Sequence, residues 1–250
     1  MSFDPATDRR LLPVHDGVAA EHLKGRVEAK RFVEGETWQV AVGHAALKAS
    51  PDWAAETLDQ ALFGERIRVY LQKGGWGWGQ LERDGYVGWL PLDRLSRKVV
   101  EPTHYIRALR TIVFSAPSPK AEPLIAISMT APVAFEEEDG AWRKLAGSGW
   151  IYGDHAAPLG LWQDDFVSVA LRFVGTPYLW GGRESAGIDC SGLVQVALQA
   201  CGRSPLRDSD MQAATLGEPL DGAVDPGALL RGDLLFWKGH VGIALGDGRL

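Results

Sequence analysis

Cysteine is scarce: the 250-residue chain holds two, Cys190 and Cys201. Lying 11 positions apart, they would share a face of one helix but stand about 16 Å apart along its axis, too far for a bridge, so no disulfide framework is expected. Long apolar runs are missing as well. No stretch approaches the ~18 residues needed to span a bilayer, and the opening MSFDPATDRRLLPVHDG has no apolar core behind its charges. The expectation is a cytoplasmic chain without a membrane span, or an extracellular one if a signal was removed. Clusters of Lys and Arg are also absent, and the formal net charge of −6 disfavours a phosphate backbone as partner, so no nucleic acid is expected. No Cys/His group has zinc-ligand spacing, which leaves no call for a metal or another cofactor.

Glycine and tryptophan are what the sequence has in quantity, 30 and 10 residues. Two stretches share one layout: GGWGWGQLERDGYVGWLP (74–91) and DGAWRKLAGSGWIYG (139–153) each run Gly then Trp, a short alternating segment, a glycine turn, then Gly-Trp and an aliphatic residue. Turn chemistry and alternation make each a β-hairpin. Alternating segments precede both, ALFGERIRVYLQ (61–72) and PLIAISMTAPVAFEEED (123–139), and the acidic run of the second reads as a solvated turn. Two repeats of about 60 residues built of short strands suggest two small barrels. They resemble bacterial SH3 domains, whose closing Gly-Trp corresponds to Gly88-Trp89 and Gly149-Trp150. Taken singly, each tryptophan is equally a filler of a barrel core.

From Leu159 the texture changes. Phe166, Val169, Ala170 and Phe173 recur at helical spacing before Gly175 and Pro177, and a second helix is expected from Cys190 to Ala200. Two strands, Leu234 to Trp237 and Val241 to Leu245, then meet at Lys238-Gly239, giving an α+β layout. The expected organisation is an amino-terminal segment (1–35), two SH3-like domains (36–98 and 99–158) and a catalytic domain (159–250).

Within GIDCSGLVQVALQACG (187–202), Cys190 falls where glycine-turn chemistry gives way to a helical pattern. A buried, inert thiol is one reading. The other is a nucleophile, because unpaired N–H groups and the helix dipole favour thiolate at a first turn. Asp189 can cap that helix, and Ser191-Gly192 leave room for a substrate. Cys201, in apolar company, reads as structural. A thiolate needs an imidazole. Five of the six histidines lie at positions 15, 22, 44, 104 and 155, leaving His240 in the same expected domain as Cys190.

PYLWGG, DCSGL, GDLLFW and HVGIALG, in that order, resemble the NlpC/P60 family of papain-like cysteine peptidases, which cut peptides of bacterial cell walls. The resemblance covers about 160–250. It implies Cys190 as nucleophile, His240 as general base and acid, and Tyr178 with its hydroxyl near the oxyanion. A third, imidazole-orienting residue is usual about a dozen positions after the histidine, past Leu250. Together with the SH3 repeats, the resemblance implies an endopeptidase for γ-D-glutamyl to diamino acid bonds in peptidoglycan stem peptides. It further implies recycling of free peptides, with Asp208 of RDSDMQ (207–212) pairing with the L-Ala ammonium and Ser209 bonding the D-Glu carboxylate. Tyr86, and more weakly Glu56, would close the far end of the pocket. Asp208 or Ser209 could instead merely cap a helix beginning at Met211. An amidase or acyltransferase of the same superfamily, or a non-catalytic wall-binding protein, are the competing functions.

Overall fold

Glycines in left-handed conformation divide the chain into short strands. Gly75 (φ +84), Gly85 (φ +79), Gly147 (φ +75) and Gly239 (φ +76) each sit in a turn, where a residue with a Cβ would be strained. The computed structural model describes residues 3–220, 225–246 and 248–250, and they divide into two compact units, Asp4–Leu159 and Gly160–Leu250.

In the first unit, β1 (Val14–His15), β2 (Val18–Ala20) and β3 (Arg31–Val33) form a small sheet in which β2 pairs parallel with β3. Next come β4 (Glu36–Val40), β5 (His44–Lys48), β6 (Thr57–Leu62), β7 (Arg66–Lys73), β8 (Trp76–Leu81), β9 (Val87–Pro91) and β10 (Leu95–Ser96). They make a seven-stranded sheet in the order β10-β4-β7-β8-β9-β5-β6. The Gly-Trp hairpin is β8 with β9, and Trp78 lies opposite Trp89. Tyr70, Trp76, Trp78 and Trp89 are buried there against Val18, Ala20 and Leu23, so residues 1–35 supply part of this core.

The remainder of the unit holds β11 (His104–Ile106), β12 (Arg110–Phe114), β13 (Pro123–Ser128), β14 (Pro132–Val133), β15 (Phe135–Asp139), β16 (Trp142–Leu145), β17 (Trp150–Tyr152) and β18 (Ala156–Pro158). Five of them form a sheet ordered β13-β12-β17-β16-β15, and three form a second ordered β14-β11-β18. The second Gly-Trp hairpin is β16 with β17. The acidic run, expected at a turn, is instead an edge strand: β15 pairs with β16, and Glu136, Glu137 and Glu138 reach Lys144 and Arg143. An edge strand has one neighbour and two solvated faces, so consecutive charges fit it and also deter pairing with other chains.

The described α-helices all lie in the second unit: α1 (Phe166–Leu171), α2 (Cys190–Ala200) and α3 (Ser209–Thr215). The α+β description therefore fits residues 160–250, while the first unit is built on strands. A hairpin of β19 (Arg183–Glu184) and β20 (Gly187–Ile188) precedes α2, and β21 (Leu234–Trp237) pairs with β22 (His240–Ile243). Helix α2 packs on both α1 and β22, burying Val194, Val196, Ala197 and Leu198. No described helix is long and apolar enough to cross a membrane.

Candidate active site

Cys190 is the first residue of α2, and Asp189 is its N-cap. The Asp189 carboxylate accepts from the backbone N–H of Gly192 (2.7 Å) with one oxygen and from that of Gly181 (2.8 Å) with the other. A cap of this kind satisfies a free helix donor and aims the remaining first-turn N–H groups outward. Contrary to the expectation from the sequence, Gly192 does not open room for a substrate but lets two backbone segments pack closely. A Cβ there would stand 2.3 Å from the carbonyl oxygen of Gly182, and one on Gly182 would stand 2.5 Å from that of Gly187. Both glycines let the Cys190 turn press against the preceding loop.

That loop carries Tyr178. Its backbone runs beside β20: Leu179 N–H donates to Ile188 C=O (3.1 Å) and Ile188 N–H to Pro177 C=O (3.1 Å), which sets Tyr178 against the residues leading into Cys190. The ring is exposed, and the phenol is pushed up to about 12 by burial, then by the charge of Cys190 and a hydrogen bond with it. At neutral pH the Tyr178 hydroxyl therefore remains protonated beside the sulfur, able to donate. Cys201, at the other end of α2, has its thiol pushed up by burial and then by the negative charge of Asp165, which disfavours its reaction.

His240 opens β22 on the hairpin against which α2 packs, paired in register with Trp237, whose ring centroid lies 5.9 Å from the imidazole. Both His240 and Trp237 are solvent-exposed. Asp208 is the N-cap residue of α3, which starts at Ser209, two residues before the expected Met211, and the Asp208 side chain makes no capping hydrogen bond. Tyr86 and Glu56 belong to the other unit: Tyr86 is buried after the Gly85 turn, and Glu56 is exposed just before β6.

Arg207 carries no local signature in the sequence. It is buried and grips Asp189 with both ends of its guanidinium, at 2.9 and 2.6 Å, while donating to Ser191 Oγ at 2.9 Å. An uncompensated carboxylate next to Cys190 would oppose a thiolate, and Arg207 cancels it while leaving the cap intact. The partners lie 18 residues apart, a separation no local pattern reveals. Arg183, also fully buried, donates to Gln199 Oε1 (2.7 Å) on α2 and likewise carries no sequence signature. A helix-start thiol with its cap charge neutralised, a donor hydroxyl beside it and an imidazole on the neighbouring hairpin form a set suited to acyl transfer.

Residues 175–250 match the NlpC/P60 family, and residues 47–95 match the bacterial dipeptidyl-peptidase Sh3 domain. The chain is similar to a γ-D-glutamyl-L-lysine dipeptidyl-peptidase of Bacillus subtilis, 29% identical over 76% of this chain and 70% of that protein. A protein of the same name from Bacillus cereus is 29% identical over 76% of this chain and 65% of its own length. Dipeptidyl-peptidase 6 of Lysinibacillus sphaericus is 34% identical over 40% of this chain and 36% of that protein. A solved NlpC/P60 family protein from Bacillus cereus superposes with a TM-score of 0.68 at 24% identity, over 85% of this chain and 88% of that one, which shows a shared fold.

Proposed function

We propose that this protein is a cysteine peptidase, a reading supported by the match of residues 175–250 to the NlpC/P60 family and of residues 47–95 to the bacterial dipeptidyl-peptidase Sh3 domain. Its substrates are free peptidoglycan stem peptides, cut between γ-D-Glu and the diamino acid. The observation that carries the reading is Cys190 at the head of α2, its cap Asp189 held by Arg207. The names of the two Bacillus relatives support the bond and the dipeptide product.

The Cys190 thiolate attacks the γ-amide carbonyl carbon, forming a C–S bond, and first-turn N–H groups with the Tyr178 hydroxyl take up the oxyanion charge. As the tetrahedral species collapses, the C–N bond breaks and the His240 imidazolium gives its proton to the departing amine. His240 then takes a proton from water as the oxygen attacks the thioester, and the carboxylic acid leaves as the sulfur regains its electron pair.

Asp208 is assigned to the free ammonium of L-Ala and Ser209 to the D-Glu carboxylate. Their place at the head of α3, on the loop that Arg207 fastens to the Cys190 turn, supports this. Tyr86 and Glu56 are assigned to the closed end of the pocket, and residues 99–158 to a second SH3-like barrel. Recycling of released peptides in the cytoplasm is the corresponding role.

The test is a side-by-side assay of L-Ala-γ-D-Glu-L-Lys and its N-acetylated form. Cleavage of the free tripeptide with a loss of about two orders of magnitude on acetylation is expected, since a half-buried carboxylate left without its cation is costly. Equal rates would reject the ammonium pocket. No cleavage of either peptide, with purified folded protein, would reject the peptidase.

A further inference from the structure

Gln212 is the fourth residue of α3, fully buried, and its side chain points back out of its own helix. The Nε2 amide donates to Ser191 C=O at 3.0 Å and to Leu206 C=O at 2.9 Å. One carbonyl belongs to the residue that follows Cys190, the other to the loop that leads into Asp208. The Oε1 oxygen has no hydrogen-bond partner among the described residues. An amide could relieve that by flipping, but the flip would set its oxygen against two carbonyls, so the donor side is fixed by its surroundings. A buried acceptor left unsatisfied is uncommon and marks a group held for what its other end does.

Arg207 makes the same connection by a separate route. Its backbone belongs to the loop before α3, and its guanidinium grips Asp189 and Ser191 Oγ. The nucleophile's turn is therefore fastened to the loop bearing Asp208 and Ser209 at two places, one ionic and one neutral. Gln212 holds the backbone carbonyl of Ser191 in the first turn of α2, whereas the Arg207 clasp holds side chains, those of the cap Asp189 and of Ser191.

We propose that Gln212 is a positioning residue: by bonding Ser191 C=O and Leu206 C=O together, it holds the Cys190 turn in register with Asp208 and Ser209. The proposal rests on the peptidase reading for its consequence, since it ties attacking atom and substrate-binding loop into one rigid piece. Its physical content, the placement of the thiol, can be measured without a substrate. Misplacement of an attacking atom by about 1 Å costs as much as two orders of magnitude in rate.

The experiment uses the full chain with Gln212→Met, which fills the same space without donors, and Gln212→Glu. Iodoacetamide labelling of Cys190 is followed by peptide mass spectrometry, alongside a thermal melt and tripeptide kinetics. For Gln212→Met, labelling should slow about tenfold and kcat fall by a similar factor, with KM within about threefold and the protein still folded at the assay temperature. Gln212→Glu should match it at about pH 8. On descending to about pH 5 it should recover relative to wild type, because a protonated carboxyl regains one donor and burial raises the pH at which that happens. A role in packing alone would give no such recovery. Labelling of both variants within about twofold of wild type at every pH would overturn the proposal, as would slowing that only follows unfolding. If wild type fails to cut the tripeptide while the labelling results hold, the peptidase reading falls and Gln212 keeps its role.

Discussion

Each unit of the molecule holds a buried arginine against carboxylate, Arg83 in the first and Arg207 in the second, and the two sites are built differently. In the first unit Arg83 meets Asp59, Glu65 at 2.6 Å and Asp84 at 2.8 Å. Burial works against its charge, and the three carboxylates more than offset that, so the guanidinium is held firmly protonated. Glu65 also accepts from Leu62 N–H and Asp84 from Tyr86 N–H, so the cluster stitches β6, the turn before β7 and the β8–β9 turn together. In the second unit Arg207 grips the carboxylate of Asp189, whose oxygens also serve a helix start. The carboxylates around Arg83 make a joint between strands and turns, whereas Arg207 ties a loop to the cap and first turn of the helix that Cys190 opens.

The largest effect that bears on this contrast belongs to the thiol. Cys190→Ala should lower tripeptide turnover by at least about three orders of magnitude while leaving the melting temperature unchanged, because the residue sits in a helix turn with little to lose in packing. A variant with wild-type turnover would remove the nucleophile, and with it the reason for a neutralised cap. In the intact protein, alkylation should fall on Cys190 in preference to Cys201, which peptide mapping reads directly.

Next come the arginines. Arg83→Met strands buried carboxylates and should cost about 3–5 kcal/mol in urea unfolding of the first unit, without altering intrinsic thiol reactivity. Arg207→Met should cost a similar amount in the second unit and slow Cys190 labelling as well. The double variant Asp189→Asn, Arg207→Met keeps a capping acceptor and buries no lone charge. It should recover most of the stability, since replacing both members of a buried pair is close to neutral. Full activity in that double variant would show that Arg207 is only structural and erase the difference between the two sites.

Much of the frame was legible because it is local. The two Gly-Trp hairpins, the β21–β22 turn at Lys238-Gly239 and the Cys190–Ala200 helix are each written in a dozen consecutive residues. Acidic β15 was misread because an edge strand tolerates charge on both faces, which breaks the alternation that betrays a strand. Residues 1–35 gave no role, since their contribution lies in Val18, Ala20 and Leu23 packing on tryptophans that come more than fifty positions later. The positions of Cys190 and His240 came from motif order. Arg207 and Gln212 did not, because what each does depends on a partner about twenty residues away with no spacing rule to announce it. The covered aromatic cluster also bears on the wall-binding alternative. Trp78 and Trp89 are buried beneath the amino-terminal segment, so those rings are not available as a binding platform.

A smaller effect tests that cover. His15 on β1 stacks on Trp78 at 5.0 Å and meets the edge of Trp89 at 5.4 Å. Its imidazole is pushed down, first by burial and then by Lys73, against an opposing pull from Asp16. A depressed base binds fewer protons folded than unfolded, so stability should fall as pH drops below about 6.5 and be flat above it. His15→Phe should keep the stacking, remove that slope and leave stability at neutral pH within about 1 kcal/mol of wild type. A thermal melt series from about pH 8 to pH 5 reads the difference, and parallel curves for the two proteins would show that His15 is not what senses the proton.

The smallest effect lies at the other end of the catalytic unit and runs with the opposite kind of group. Asp165 caps α1, accepting from Val167 N–H at 2.9 Å and from Ser168 Oγ at 2.5 Å, and Arg231 reaches it at 2.6 Å from the approach to β21. Arg231 and then Ser168 hold its carboxyl well below the usual carboxylate range. Both partners are more than two-fifths exposed, so water and salt screen the pair, and Arg231→Met should cost no more than about 1 kcal/mol at neutral pH. For an acid with a depressed folded value, the stabilisation is fully present above the unfolded value of about 3.9 and is lost as pH falls below it. The gap between wild type and Arg231→Met should therefore stay constant from about pH 7 to pH 5, then narrow on descending toward pH 2. About 1 M salt should shrink it at neutral pH, in contrast to the losses at Arg83 and Arg207, which lie too deep to be screened. A gap that keeps its full size at about pH 2 would mean that Arg231 acts through packing of its stem rather than through the carboxylate of Asp165.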